Sequence, residues 1–221
     1  LGGDDFYCPL SSASPATPPP KALPKPPSKK TMPFGYFADN NLDTVPLEVF
    51  DNTHWKRLIL AKNFLTSVPE ELAGLTALAE LDLTHNSITQ LPHALTALTN
   101  LAKLKVGGNE LDEWPADLTH LPALTELDIG FNSLTTAPPQ LASYTALVKL
   151  ILRRNSLQLL PDGIHTSWGS LVVLDLSKNK LETLGHALDA LPKLTELNLA
   201  SNKLVNLSSH PLELPNLSRL D

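Results

Sequence analysis

Residues 78–92, LAELDLTHNSITQLP, decide how this chain folds. Within them Leu81 and Leu83 alternate with polar neighbours, which is the period of a strand. Asn86 follows three residues after Leu83, and Ile88 two residues after that. The same frame recurs as Leu58/Leu60/Asn63/Leu65, Leu104/Val106/Asn109/Leu111, Leu127/Ile129/Asn132/Leu134 and Leu150/Leu152/Asn155/Leu157. Leu174/Leu176/Asn179/Leu181 and Leu197/Leu199/Asn202/Leu204 complete the full copies. Asn40 carries a weaker copy, with Gly35 and Phe37 upstream, and Leu217 and Leu220 open a ninth. The asparagine steps are 23 residues, except for one of 24 between Asn155 and Asn179.

Each copy predicts one short strand with its leucines inward and its neighbours parallel, about 4.8 Å apart. Eight copies then make a curved sheet about 40 Å long. The inward Asn is placed to pair backbone groups of adjacent turns that would otherwise be buried alone. Pairs such as Val68-Pro69, Leu91-Pro92, Trp114-Pro115 and Leu160-Pro161 end the strand direction. Leucines at three-residue steps follow, as at Leu72, Leu75 and Leu78, and predict 3₁₀ or short helical turns closing the core. The extra residue near Trp168 predicts a bulge on that convex side.

This is the leucine-rich-repeat pattern, an α/β solenoid with strands on the concave side and 3₁₀ or short helical turns on the convex side. The 23-residue period with Leu-Pro-x-x-Leu-x-x-Leu resembles the Ras-group, or plant-intracellular, class of these repeats. That resemblance covers residues 32–221 and implies intracellular signalling scaffolds and regulators of small GTPases. It specifies a fold and leaves function to be argued from the surface.

Residues 1–31 are a different material. Nine of the twenty prolines fall in 1–33, and Lys21, Lys25, Lys29 and Lys30 outnumber Asp4 and Asp5. This composition favours extended polyproline II over a packed core. Lys21, Pro24 and Pro27 fit a basic-x-x-Pro-x-x-Pro ligand of SH3 domains, and are the candidate contacts of the tail. The competing expectation is a spacer, or a basic segment lying on an acidic body. The tail is +2 and the remainder −8, within a total of −6.

An acidic body argues against nucleic acid and anionic membranes as general partners. No apolar run approaches the ~18–20 residues that span a bilayer. A single cysteine, Cys8, permits no disulfide framework within the chain. The expected location is therefore intracellular, cytoplasmic first, with a cytoskeletal, ciliary or organellar complex as alternative. The seven histidines are scattered in phase, and no Cys/His set has zinc spacing. Neither a phosphate-binding glycine loop nor a nucleophile–base pair is legible. No cofactor, metal, small-molecule substrate or catalysis is expected. The chain also starts with Leu and stops within a strand, so a longer protein or a partner on the last rung is expected. Phe34, Tyr36 and Phe37 are expected to cap the first.

If the leucines point inward, the residues between them form the concave face. Glu80 and Glu126 then flank Lys103, Asp82 and Asp128 flank Lys105, and Glu126 neighbours Lys149. Alternating signs predict lateral ion pairs between rungs. One region breaks the alternation: Gly107, Gly108 and Gly130 should leave an open surface, ringed by His85, Phe131, Arg153, Arg154 and Lys178. An aromatic beside arginines is interface chemistry, so these five are the candidate partner contacts. The function expected is a non-catalytic protein-interaction scaffold, as a structural subunit of a large intracellular assembly. The alternative is a signalling adaptor or regulator that binds its partner on the concave face.

Overall fold

The computed structural model describes residues 33–161, 164–189, 191–206 and 214–221. The tail candidates Lys21, Pro24 and Pro27 lie outside these residues. Among the described residues nine strands form one parallel sheet in chain order. They are β1 Phe34–Tyr36, β2 Arg57–Ile59, β3 Glu80–Asp82, β4 Lys103–Lys105 and β5 Glu126–Asp128. After them come β6 Lys149–Ile151, β7 Val173–Asp175, β8 Glu196–Asn198 and β9 Arg219–Leu220.

Sequence period becomes structural register directly. Leu58 pairs with Leu81, Leu81 with Leu104, and so on to Leu197 with Leu220. The inward leucines of β2 to β8 are all buried. Opposite them, the prolines open the convex arcs. Pro46, Pro69 and Pro92 each stand in extended geometry immediately before a 3₁₀ turn, and Pro138 precedes another. Proline suits this position because its fixed φ and missing N–H cost nothing where no intrahelical donor is needed. Leu72, Leu95 and Leu141 then drop from these turns into the core.

The asparagines make the predicted ladder. Asn86 Nδ2 donates to Leu83 O in its own repeat at 2.9 Å and to Leu60 O in the preceding one at 3.1 Å. Its Oδ1 accepts the Leu65 N–H at 3.1 Å. The same three bonds recur at Asn109, Asn155 and Asn179. Each carbonyl therefore receives two amide donors, and the ladder is continuous.

The 24-residue step leaves the sheet undisturbed, since Lys149 still pairs with Val173. Its extra residue is taken up in the arc between Ile164 and Leu171. Trp168 does not ride outward on it: the indole is fully buried and donates to Leu141 O at 3.2 Å. At the other end Gly35 stands where later repeats carry leucine. A Cβ there would overlap the Trp55 ring. The indole of Trp55, with Phe37 at 6.1 Å, closes this end of the core. Tyr36 is exposed and takes no part in the closure.

Candidate partner-binding surface

The concave strands carry the expected charge ladder, with one change in its wiring. Glu126 sits between Lys103 at 3.5 Å and Lys149 at 3.2 Å. Burial pushes the Glu126 carboxyl up, but the bond from Lys149 and the fields of Lys149, Lys105 and Lys103 outweigh it and hold it below its ordinary value. Lys105, expected between Asp82 and Asp128, instead reaches diagonally to Glu80 at 3.6 Å. The aspartates are engaged by their own backbone. Asp82 accepts from Thr84 N and Oγ1, Asp128 from Gly130 N, and Asp175 from Ser177 N and Oγ. Asx turns of this kind tie a carboxylate to residue i+2 and withdraw it from lateral pairing. Burial raises Asp128 above the usual carboxylate range despite its bond from Gly130.

Immediately before each ladder Asn, the chain turns sharply off the strand. Asp39, Lys62, His85, Phe131, Arg154, Lys178 and Ser201 all adopt positive φ, between 54° and 59°, and Gly108 adopts 70°. L-residues avoid this left-handed region by about 1–2 kcal/mol, so the asparagine bonds must impose it. The turn throws these side chains outward, in one column along the rim of the concave face. Four of the five expected contacts, His85, Phe131, Arg154 and Lys178, belong to this column; Arg153 is one residue inside it.

Phe131 is the exposed aromatic of the column. Two guanidinium carbons approach its ring centroid, Arg153 at 5.0 Å and Arg154 at 5.3 Å. Both are within cation–π range. Arg153 Nε stops 4.0 Å from Asp175 Oδ2, too far for a hydrogen bond. Arg153 is therefore held by the ring together with a long ion pair to Asp175.

The expected opening at the glycines is absent. A Cβ on Gly108 would meet His85 Nδ1 at 2.7 Å. On Gly107 it would meet Asp128 Oδ1 at 2.9 Å, and on Gly130 it would meet Arg153 Cγ at 3.1 Å. Side chains of adjacent rungs, one strand spacing away, lie across the glycines and fill the space. Glycine here makes room for His85, Asp128 and Arg153. The patch is thus continuous, with His85 separated from Phe131 by one rung.

A hollow of about 320 Å³ continues this surface on the concave side. Its walls include Arg153, Asp175, Glu196, Asn198 and Arg219. Glu196, Asn198 and Arg219 were not singled out from sequence, though their between-leucine phase was the available signal. Also missed were Lys180 and Lys203, exposed one residue beyond their ladder asparagines. Among the described residues no group of three His, Cys, Asp or Glu could hold a metal ion. No described helix is long and apolar enough to cross a membrane.

Comparison with known proteins agrees with this geometry. The leucine-rich-repeat family profile matches residues 36–88, 53–111 and 145–204, more than half of the chain. The chain belongs to the leucine-rich-repeat family. Among solved structures it is similar to an internalin, InlF, from Listeria monocytogenes, with a TM-score of 0.69 and 25% identity over 80% of this chain and 51% of that one. It is similar to YopM from Yersinia enterocolitica at 32% identity and TM-score 0.64, over 83% of this chain and 35% of YopM. A plant peptide hormone receptor, RGFR1, solved in complex with RGF2, matches at 28% identity and TM-score 0.64, over 73% of this chain and 27% of the receptor. The chain spans about half the length of the internalin and less of the other two. No curated protein matches it by sequence.

Proposed function

We propose that the chain is a non-catalytic protein-interaction module that grips its partner through Phe131, Arg153, Arg154 and Lys178, with His85 at the border. The observation that carries this reading is the exposed Phe131 ring flanked by two guanidiniums on the outward turns. A planar ring and Arg forks are the groups that dominate interface energetics. The receptor solved with RGF2 illustrates the same fold serving recognition.

Between the two expected roles, the surface favours the adaptor over the permanent structural subunit. Obligate interfaces resemble a core cut in half, whereas this concave face is built of ion pairs and Asx turns. Large exposed apolar residues such as Tyr36, Phe64 and Leu159 are scattered over separate repeats. We also assign the repeats to the Ras-group, plant-intracellular class, on their 23-residue period and proline-led 3₁₀ arcs. The lone Cys8 supports a reducing, cytoplasmic setting for the module.

The test is partner capture by the tagged chain, compared with Phe131→Gly/Arg153→Ala. Glycine is chosen because position 131 has φ 54°, so this half of the change relieves backbone strain while removing the ring. The reading predicts lost capture with no fall in melting temperature. Full capture by the variant refutes it.

A further inference from the structure

The rim is electrically divided, and the division specifies the partner. Three positions in each repeat form or border it: the second and first residues before the ladder Asn, and the first after it. In the last four full repeats these are Gly130, Phe131 and Ser133; Arg153, Arg154 and Ser156; Ser177, Lys178 and Lys180; Ala200, Ser201 and Lys203. That set holds five cations and no acid. The same positions in the first four repeats hold Lys62, Asp39 and Glu110, and Lys62 is paired with Asp39 at 3.3 Å.

Five cations of one sign are an exception in a body of net −8. On the strands every lysine of β4 and β6 has a carboxylate within 3.6 Å. On the rim, Arg154, Lys178, Lys180 and Lys203 are exposed, and none is in an ion pair among the described residues. Arg153 is held by the Phe131 ring. Neutralisation within the chain governs the strands, and the rim is left charged.

We propose that this rim binds an acidic peptide segment of a partner protein, laid in extended form along the solenoid with an apolar side chain against Phe131. This rests on the interaction-module reading and adds the chemistry of what is bound. Complementary charge is the recognition term, and Phe131 at the first rung fixes the register. From Phe131 to Lys203 the rim crosses three repeat steps, about 15 Å at one strand spacing each. An extended segment of about five residues covers that length. Arg154 and Lys178 stand in the column before the ladder Asn, and Lys180 and Lys203 in the column after it, so cations line both sides of such a segment. A nucleic acid fits less well, because Asp175, Glu182 and Glu196 border the strip and would face the continuing phosphates.

The experiment is fluorescence anisotropy with the full chain and a short labelled peptide of alternating aspartate and glutamate bearing one terminal leucine. Binding should be saturable below about millimolar concentration. Lys180→Glu/Lys203→Glu should weaken it about tenfold or more at low salt, since two attractions become repulsions. Both residues are exposed and neither has positive φ, and circular dichroism checks that the variant remains folded. Replacing the leucine by glycine should weaken binding in the native chain and have no effect in Phe131→Gly. The proposal is overturned if the acidic peptide does not bind, if its lysine counterpart binds equally, if the double reversal leaves affinity unchanged, or if oligothymidylate binds more tightly. Should the peptide fail while Phe131→Gly/Arg153→Ala still abolishes partner capture, the module reading stands and the acidic chemistry falls. Failure of both removes the surface altogether.

Discussion

Replacing Asn109 by alanine isolates the ladder on which the account of the fold depends. The Asn109 amide donates to Leu83 O at 3.0 Å and Val106 O at 2.9 Å, and its Oδ1 accepts the Ile88 N–H at 3.0 Å. The losses are unequal. Leu83 O keeps the donor from Asn86, and Val106 O keeps the one from Asn132. Ile88 N–H keeps no acceptor among the described residues, inside a fully buried residue. A buried unsatisfied group costs about 1–3 kcal/mol, and each lost bond with a surviving partner about 0.5–1.5 kcal/mol. The expected destabilisation is therefore about 2–6 kcal/mol, centred near 4. Asn40→Ala is the control: it removes bonds to Phe37 O and Ala38 O within its own repeat, and among the described residues no N–H of another repeat depends on it. That change should cost about 1–3 kcal/mol, centred near 2. Equilibrium urea unfolding, followed by circular dichroism and tryptophan emission, compares the two. If Asn109→Ala costs no more than Asn40→Ala, the ladder is decoration and the reasoning fails.

Three further outcomes are expected. Gly35→Leu should destabilise the first rung by about 1–3 kcal/mol, because its Cβ would meet the Trp55 ring; Gly35→Leu/Trp55→Leu should recover much of the loss, and no recovery in a thermal melt would count against the cap. On the convex side His93 and Asp117 form a pair in which the hydrogen bond and charge of Asp117 raise His93 above 6.5, and the bond from His93 lowers Asp117 below 3.8. A raised histidine stabilises below 6.5 and loses that contribution as pH rises through its folded value; a lowered aspartate stabilises above 3.8 and loses it on acidification through its own. The gap between native chain and His93→Asn should thus be widest between those two values and close in alkali, and a gap independent of pH would exclude the pair. Burial pushes Tyr144 up to about 12 from 10.0, with the Trp114 bond opposing. Its unfolded form therefore ionises first above 10, stability must fall with rising pH there, and Tyr144→Phe should flatten that fall.

Much of the architecture was legible because one constraint repeats. Leu81 and Leu83 must face inward, Asn86 must pair three backbone groups, and both requirements recur at a fixed step, so phase alone placed the strands in their observed register. The surface was read less well, for local reasons. Asp82 and Asp128 looked like lateral ion-pair partners because phase says which face a carboxylate occupies. It does not say whether Thr84 or Gly130, two residues on, will bind it first. Gly107, Gly108 and Gly130 looked like a gap because a sequence shows the missing Cβ and hides the neighbour that crosses it. Positive φ at Phe131 and Arg154 also escaped notice, since only Gly108 in that column carries the residue type that signals it. Lys180 and Lys203 gain meaning only when the rim columns are laid side by side.

On the reading proposed above, the C-terminal half of the concave side and its rim grip a protein partner. Affinity capture of the tagged chain, followed by cross-linking and mass spectrometry of the captured complex, tests it most directly. The account predicts cross-links concentrated at Lys178, Lys180 and Lys203, and their loss in Phe131→Gly/Arg153→Ala. Cross-links confined to Lys193 and other convex positions, unaffected by that variant, would contradict it.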